Sequence, residues 1–126
     1  MSKAIVIIPT YNEKENIART IEALVRVFIG VKKWQMKILI VDDSSPDGTA
    51  DVVKDLQKKY SFIELLINKK KSGLGGAYLS GMNHAFNELG AEVIFEFDAD
   101  LSHDPKKIPS FLRKIDVGYD FVLGSR

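Results

Sequence analysis

Residues 98 to 104 read Asp98-Ala99-Asp100-Leu101-Ser102-His103-Asp104, a dense group of carboxylates with a hydroxyl and an imidazole among them. They follow Glu92–Phe97, a run rich in Val, Ile and Phe. An extended D-x-D segment points both carboxylates the same way. Like charges so close raise one another's pKa unless a cation joins them. A hard divalent ion such as Mg2+ or Mn2+ suits oxygen ligands and keeps positions open for substrate phosphates. Two readings therefore stand for Asp98 and Asp100, a metal clamp to which Ser102 could add an oxygen, or a pair of loop and cap acids. A calcium loop is excluded, because its sixth position needs Gly and its twelfth Glu, and His103 and Pro109 stand there. Asp104 before Pro105 is read as a helix N-cap followed by the residue best tolerated in a first turn. His103 stays open.

A second acidic stretch, "VDDSSPDGTA", divides in the same manner. Asp47-Gly48 is turn chemistry, and Asp47 or Thr49 suits a helix cap. Asp42 and Asp43 end an apolar run, and one of them could accept hydrogen bonds from the N–H edge of a nucleobase. "KKKSGLGGAYLSG" lacks the spacing of a phosphate loop or of G-x-G-x-x-G. Its Gly73, Gly75 and Gly76 predict a close backbone approach leading into a helix. Lys69, Lys70 and Lys71 suit a solvated loop face, or attraction to a diphosphate or anionic lipid. His84 is read as a surface or packing residue, and Trp34 and Tyr60 as packing residues near strand starts. Arg126 is either a free cationic terminus or a guanidinium facing a phosphate, for which its bidentate fork is suited.

These groups need elements to hold them. Short apolar runs at Ala4–Ile8, Lys37–Val41, Phe62–Ile67, Glu92–Phe97 and Phe121–Leu123 read as strands covered on both faces. Helical patterns alternate with them. The first carries Ile17, Ile21, Leu24, Val25 and Phe28, with Asn12 and Glu15 spaced like a capping box. The second runs from about Thr49 to Lys59 with Val52, Val53 and Leu56. The third spans about Ala77 to Leu89 with Leu79, Met82, Ala85, Phe86 and Leu89. The fourth starts at Asp104-Pro105 and carries Ile108, Phe111, Leu112 and Ile115. The alternation predicts an α/β fold with a mostly parallel sheet flanked by helices. In such sheets ligands bind at the carboxyl ends of strands, which here are "PTYNE", "DDSSPDG", "DADLSHD" and "GSR".

Composition narrows the class. The chain has 126 residues, 45% hydrophobic and 28% charged, which fits one globular domain. A formal net charge of +1 offers no basic field for nucleic acid. Without cysteine, disulfides and thiolate metal sites are excluded. The amino terminus lacks a signal-peptide pattern, and no apolar run approaches the ~18 residues of a spanning helix.

Together the segments "VIIPTYNEKENI", "ILIVDDSSPDGTADVV", "GLGGAYLSGMNHA", "DADLSHDPKKIP" and "DFVLGSR" resemble the family-2 glycosyltransferases of GT-A fold. They look most like the dolichyl-phosphate or polyprenyl-phosphate mannosyltransferases. The resemblance implies a Rossmann-like GT-A nucleotide-binding half over residues 1–126, without the acceptor-binding part that relatives carry beyond "GSR". It implies that Pro9, Tyr11 and Glu13 line a nucleotide pocket, with Val41 and Asp43 beside the base. It makes Asp98, Ala99 and Asp100 the family's D-x-D on a divalent metal, Mg2+ or Mn2+. Ser102 stands where some relatives have Gln as a further metal ligand. Arg126 matches the arginine of "GSR" near a phosphate, so that Asp98, Asp100 and Arg126 form the catalytic set. The implied reaction moves mannose from GDP-mannose to a polyprenyl phosphate at a membrane surface, with inversion. A UDP-sugar donor and a non-catalytic nucleotide-sugar-binding fragment are the alternatives. The implied location is cytoplasmic and peripheral to the membrane face, with room for a membrane-anchoring C-terminal segment or partner chain.

Overall fold

The computed structural model describes residues 2–69 and 73–116. The expected strand Phe121–Leu123, Arg126, Lys70 and Lys71 lie outside the described residues. Four parallel strands form one sheet: β1 (Ser2–Thr10), β2 (Trp34–Asp42), β3 (Ile63–Ile67) and β4 (Val93–Glu96), in the order β3-β2-β1-β4. Helices α1 (Ile17–Phe28), α2 (Thr49–Lys59), α3 (Gly73–Asn87) and α4 (Ile108–Asp116) connect or follow them. β1 and β2 run in register from Ser2 opposite Trp34 to Thr10 opposite Asp42. β4 pairs with β1 only from Ala4 opposite Val93 to Ile7 opposite Glu96, so the chain leaves the ladder just before Asp98.

The two central strands are buried on both faces, which explains their near-continuous apolar character. Alternation sends Ala4, Val6, Ile8, Ile38 and Ile40 to one core, with Ile17, Ile21 and Leu24 of α1, Val53 of α2, and Ile108 and Leu112 of α4. Ile5, Ile7, Leu39 and Val41 face the other way, onto Ala77 and Ala85 of α3. Each fully buried Ile or Leu contributes ~1.5–3 kcal/mol. The α4 start behaves as its sequence predicts. Asp104 accepts a hydrogen bond from Lys106 N–H at 3.0 Å, Pro105 opens a 3-10 turn through Lys107, and α4 continues from it.

Three local expectations are corrected. Asn12 and Glu15 form no capping box. A turn closes first on the Glu13 carbonyl, which accepts from Asn16 N–H at 3.0 Å and Ile17 N–H at 2.9 Å, so α1 begins at Ile17. In α3 the buried stripe is Ala77, Gly81 and Ala85, while Leu79 and Phe86 are 59% and 53% exposed. Small residues occupy the buried positions of the helix over the bulky side chains of β1 and β2, while Met82 and Leu89 of the expected stripe, with Tyr78, pack partly buried against the same core. The close backbone approach also falls at Gly81 and not at Gly73 or Gly75. A Cβ at Gly81 would lie 2.8 Å from Ile7 Cγ2 and 3.0 Å from Val41 Cγ2, whereas one at Gly73 or Gly75 would meet nothing within 4 Å.

Candidate functional site

Parallel strands put the loops after β1, β2 and β4 at one edge of the sheet. Two of these loops are stitched together. Successive backbone N–H groups of the first loop donate to side chains of the second: Asn12 to Ser45 Oγ at 2.9 Å, Glu13 to Thr49 Oγ1 at 3.1 Å, and Lys14 to Asp47 Oδ2 at 3.1 Å. Asp47 also accepts from Thr49 N–H at 3.0 Å and from its hydroxyl. These bonds, the Thr49 hydroxyl foremost, hold the Asp47 carboxyl below its ordinary range. Asp47 and Thr49 are thus structural, although neither is the cap expected of them: the N-cap of α2 is Gly48, and Thr49 is the first residue of the helix.

The adjacent acids Asp42 and Asp43 separate by environment. Asp42 is 1% exposed and satisfied by the chain itself: Thr10 Oγ1 at 2.7 Å, Ser45 N–H at 2.9 Å and Ser45 Oγ at 2.6 Å all donate to it. Asp43 is 4% exposed and faces a cavity of about 230 Å³. Its carboxylate accepts from Asn68 Nδ2 at 2.9 Å and from the Gly73 N–H at 3.1 Å. The cavity is lined by Pro9, Thr10, Tyr11 and Glu13 from one side and by Asp43, Gly73, Leu74 and Ala77 from the other. The structure therefore brings Pro9, Tyr11, Glu13 and Asp43 together around one cavity. Val41 is not in the lining; its side chain is fully buried against α3. Gly73, Leu74 and Ala77 were not assigned to a site from sequence, although the glycine-rich segment was marked as an approach to a helix.

The third loop carries the paired acids. The chain turns after β4 instead of staying extended, so the two carboxylates are arranged by that turn. Leu101 sits at φ 63°, a left-handed conformation unusual for a bulky residue. The turn brings Ser102 between the acids. Its hydroxyl donates to Asp98 Oδ2 at 2.8 Å, and its N–H donates to Asp100 Oδ1 at 3.0 Å. The Ser102 N–H, then its hydroxyl, and the nearby His103 hold the Asp100 carboxyl below its ordinary range. Asp98 Oδ1 accepts from the Tyr78 hydroxyl of α3 at 3.2 Å. The Asp98 N–H donates to His103 Nδ1 at 3.2 Å, and the imidazole packs edge-on to Phe97. The small residue between the acids is anchored as well: Ala99 is buried, and its carbonyl accepts from the Thr20 hydroxyl of α1 at 2.5 Å.

Asp98, Asp100 and Ser102 form an all-oxygen donor set on one tight turn. Among the described residues no three His, Cys, Asp or Glu side chains form a closed metal cage. Mg2+ and Mn2+ characteristically use one or two carboxylates and complete their shells with water and substrate phosphates. The set present fits such an ion. Ala77 lines the cavity and Tyr78, next in the chain, bonds Asp98, so α3 ties the acidic turn to the cavity. No helix among the described residues is long and apolar enough to cross a membrane.

The family model described as "Glycosyl transferase family 2" matches residues 5–126. A dolichol-phosphate mannosyltransferase of Pyrococcus furiosus is 37% identical over 124 residues, covering 98% of this chain and 33% of that protein. An undecaprenyl-phosphate mannosyltransferase of Micrococcus luteus is 39% identical over 124 residues, covering 98% and 48% respectively. The chain thus spans a third to a half of the length of these relatives. Among solved structures, a mannosyltransferase of Pyrobaculum calidifontis in complex with GDP-Man and Mn2+ superposes with a TM-score of 0.65 at 24% identity, covering 77% of this chain and 27% of that one. This likeness establishes the GT-A fold.

Proposed function

The chain belongs to glycosyl transferase family 2, and on that premise we propose that it is the donor-binding part of a polyprenyl-phosphate mannosyltransferase that uses GDP-mannose. The observation that carries the reading is the division of labour between neighbouring acids. Asp42 is consumed by the fold, while Asp43 lines a cavity walled by Tyr11 and Leu74 at the carboxyl ends of β1 and β2. A flat nucleobase with an N–H edge fits that chemistry. Tyr11 and Leu74 supply apolar contact, and the carboxylate supplies acceptors. The names and identities of the Pyrococcus and Micrococcus relatives support mannose as the sugar and a polyprenyl phosphate as the acceptor.

Asp98, Asp100 and Ser102 would hold Mg2+ or Mn2+. A divalent ion held there would supply positive charge beside the departing diphosphate. The chain's own residues set the position of that charge. Tyr78 and Ser102 orient Asp98, the Ser102 N–H orients Asp100, and Thr20 holds the peptide between them. A phosphate monoester acceptor, with a second pKa near ~6, is mostly dianionic at neutral pH. Attack from the far face of the sugar, with inversion, then asks the chain for binding and orientation more than for a general base. Such an acceptor would put the reaction at a membrane surface, which we propose is the cytoplasmic face.

Titration of the chain with GDP in the presence of Mn2+, followed by calorimetry, tests the donor site. Saturable binding is expected, lost or reduced at least tenfold by Asp98→Ala with Asp100→Ala. Binding that is indifferent to both substitutions would sink the assignment of the acidic turn. Incubation with GDP-mannose and a short-chain polyprenyl phosphate tests transfer, and binding without mannosyl phospholipid would mark the chain as a binding part only.

A further inference from the structure

His103 sets an imidazole among the carboxylates of the acidic turn, and its sequence context left its role open. The Phe97 N–H continues the ladder of β4 with β1, donating to the Ile7 carbonyl at 2.9 Å. Successive N–H groups along a strand point to opposite sides, so the N–H of Asp98 turns away from β1. There it donates to His103 Nδ1 at 3.2 Å. A ring nitrogen that accepts carries no proton, so this imidazole is the neutral tautomer with its hydrogen on Nε2. Nε2 lies 3.9 Å from Asp98 Oδ2, and the ring stands edge-on to Phe97 with the centroids 5.4 Å apart. The side chain is 24% exposed, so the ring is packed into the turn and does not extend from it.

The two sides of the acidic turn are anchored differently. Its start is tied to the sheet and to α1, through the Phe97 N–H on Ile7 and the Ala99 carbonyl on Thr20. Its far side returns to Asp98 through the Ser102 hydroxyl and through the His103 ring. The hydroxyl bond engages two of the oxygens proposed for the ion, Ser102 Oγ and Asp98 Oδ2. The imidazole bond runs from a backbone N–H to a ring nitrogen and spends no oxygen of the donor set. We propose that His103 is a positioning residue for the divalent ion: its Nδ1, accepting from the Asp98 N–H, keeps Ser102 beside Asp98 and Asp100 while their oxygens turn to the metal. The tie is made to the Asp98 backbone, so it holds whatever else the Asp98 carboxylate engages. This inference rests on the metal-dependent donor site proposed above.

The test compares the parent with His103→Asn, His103→Leu and His103→Ala. Asparagine offers Oδ1 at the branch position that Nδ1 occupies, and so keeps the acceptor. Leucine keeps an apolar body against Phe97 and loses the acceptor. Mn2+ affinity of the GDP-loaded chain is read from the paramagnetic resonance signal of the free ion, and GDP is titrated by calorimetry with and without Mn2+. His103→Leu and His103→Ala should each weaken Mn2+ by about tenfold, the lower end for loss of a group that orients metal ligands. His103→Asn should stay within about threefold of the parent, because the hydrogen bond is kept. GDP affinity without Mn2+ should be the same in all four proteins. The parent has two histidines, and the ring 15N signals missing from His103→Asn identify those of His103; they should show Nδ1 bare and Nε2 protonated. The opposite tautomer overturns the proposal. So does His103→Asn as weak as His103→Leu, or His103→Leu as tight as the parent; if Asp98→Ala with Asp100→Ala still abolishes Mn2+ binding, the donor site survives that result. Equal loss of GDP affinity with and without Mn2+, together with a lowered urea midpoint, shows a purely structural role and also overturns it. A parent that binds no GDP, or binds it indifferently to Mn2+, overturns the metal-dependent reading and this inference with it.

Discussion

Gly81→Ala is the most direct probe of what holds the cavity wall in place. The added Cβ would sit 2.8 Å from Ile7 Cγ2 and 3.0 Å from Val41 Cγ2, both on fully buried residues. These are methyl groups on β-branched side chains, stiff at χ1, and they cannot rotate away as the end of a long chain could. Overpacking of this kind costs ~1–3 kcal/mol. Alanine's better helix propensity returns ~1 kcal/mol. With neither contacting methyl able to yield, a net loss of ~1–2 kcal/mol is expected, which lowers the urea midpoint by roughly 0.5–1 M. Gly75→Ala is the control, because a Cβ there meets nothing within 4 Å; it should leave stability unchanged or raise it by up to ~1 kcal/mol. In an Ile7→Ala background, itself ~2–5 kcal/mol less stable, the extra methyl enters the vacated space and the Gly81→Ala penalty should vanish or change sign. GDP affinity should fall in Gly81→Ala alone, since α3 carries Gly73, Leu74 and Ala77 of the cavity. A Gly81→Ala protein as stable as Gly75→Ala would refute the argument that this contact sets the height of the helix.

Thr20→Val keeps the shape of the side chain and removes the hydroxyl that satisfies the buried Ala99 carbonyl; a loss of ~1–3 kcal/mol by urea denaturation is expected, with Mn2+-dependent GDP binding weakened more than Mn2+-independent binding. Asp47 has its pKa lowered by the fold, so its contribution is present above its ordinary pKa and disappears as pH falls through the depressed one. Asp47→Ala should therefore lower the urea midpoint at pH 7, and the gap from the parent should close in the acid range; a gap constant down to pH 3 would contradict the assignment. Leu101, at φ 63° and packed on the core by its side chain, separates two effects. Leu101→Gly relieves ~1–2 kcal/mol of left-handed strain while losing packing, and should change stability by less than about 1 kcal/mol. Leu101→Ala loses packing without that relief, and should fall below Leu101→Gly in thermal melts.

The elements were legible because burial on both faces leaves an unmistakable pattern. Ala4–Ile8 and Lys37–Val41 are the cores of strands that extend to Ser2–Thr10 and Trp34–Asp42. The end residues escaped notice because ladder pairing continues through Lys3, Pro9 and Gln35, whose side-chain types carry no strand signal. In α3 the apolar pattern was legible only in part, since Met82, Ala85 and Leu89 pack on the second core while Leu79 and Phe86 face away from it. Leu79 and Phe86 are larger hydrophobes, yet the buried positions of α3 over Ile5, Ile7, Leu39 and Val41 are Ala77, Gly81 and Ala85, with Tyr78 and Met82 packed partly buried beside them. Complementary volume is a property of two surfaces, and a single helix sequence shows one of them. Among the acids, Asp104 was readable because its partner Lys106 is near in sequence, and Asp47 was readable through Thr49 but not through its bond from the distant Lys14 N–H. The split between Asp42 and Asp43 was not, because it depends on Thr10 and Ser45 on one side and Asn68 and Gly73 on the other.

The non-glycine residues with positive φ among those described are Asn12, Ser44 and Leu101, one in each loop at the carboxyl ends of β1, β2 and β4. Each such conformation costs of order 1 kcal/mol or more and persists only where its surroundings enforce it. The enforcing bonds are identifiable here: Asn12 N–H on Ser45, the Ser44 hydroxyl on the Asn68 carbonyl, and Ser102 reaching back across Leu101 to the Asp98 and Asp100 carboxylates. In every case the bond runs to the chain itself, so the loops hold their strained shape without a ligand. Binding a nucleotide to a site built this way need not supply the energy of folding the loops, which leaves more of its interaction energy for affinity. Shape held in advance by Ser44, Ser45 and Asn68 is also why substitutions at residues outside the cavity lining and the acidic turn should change how tightly a nucleotide binds.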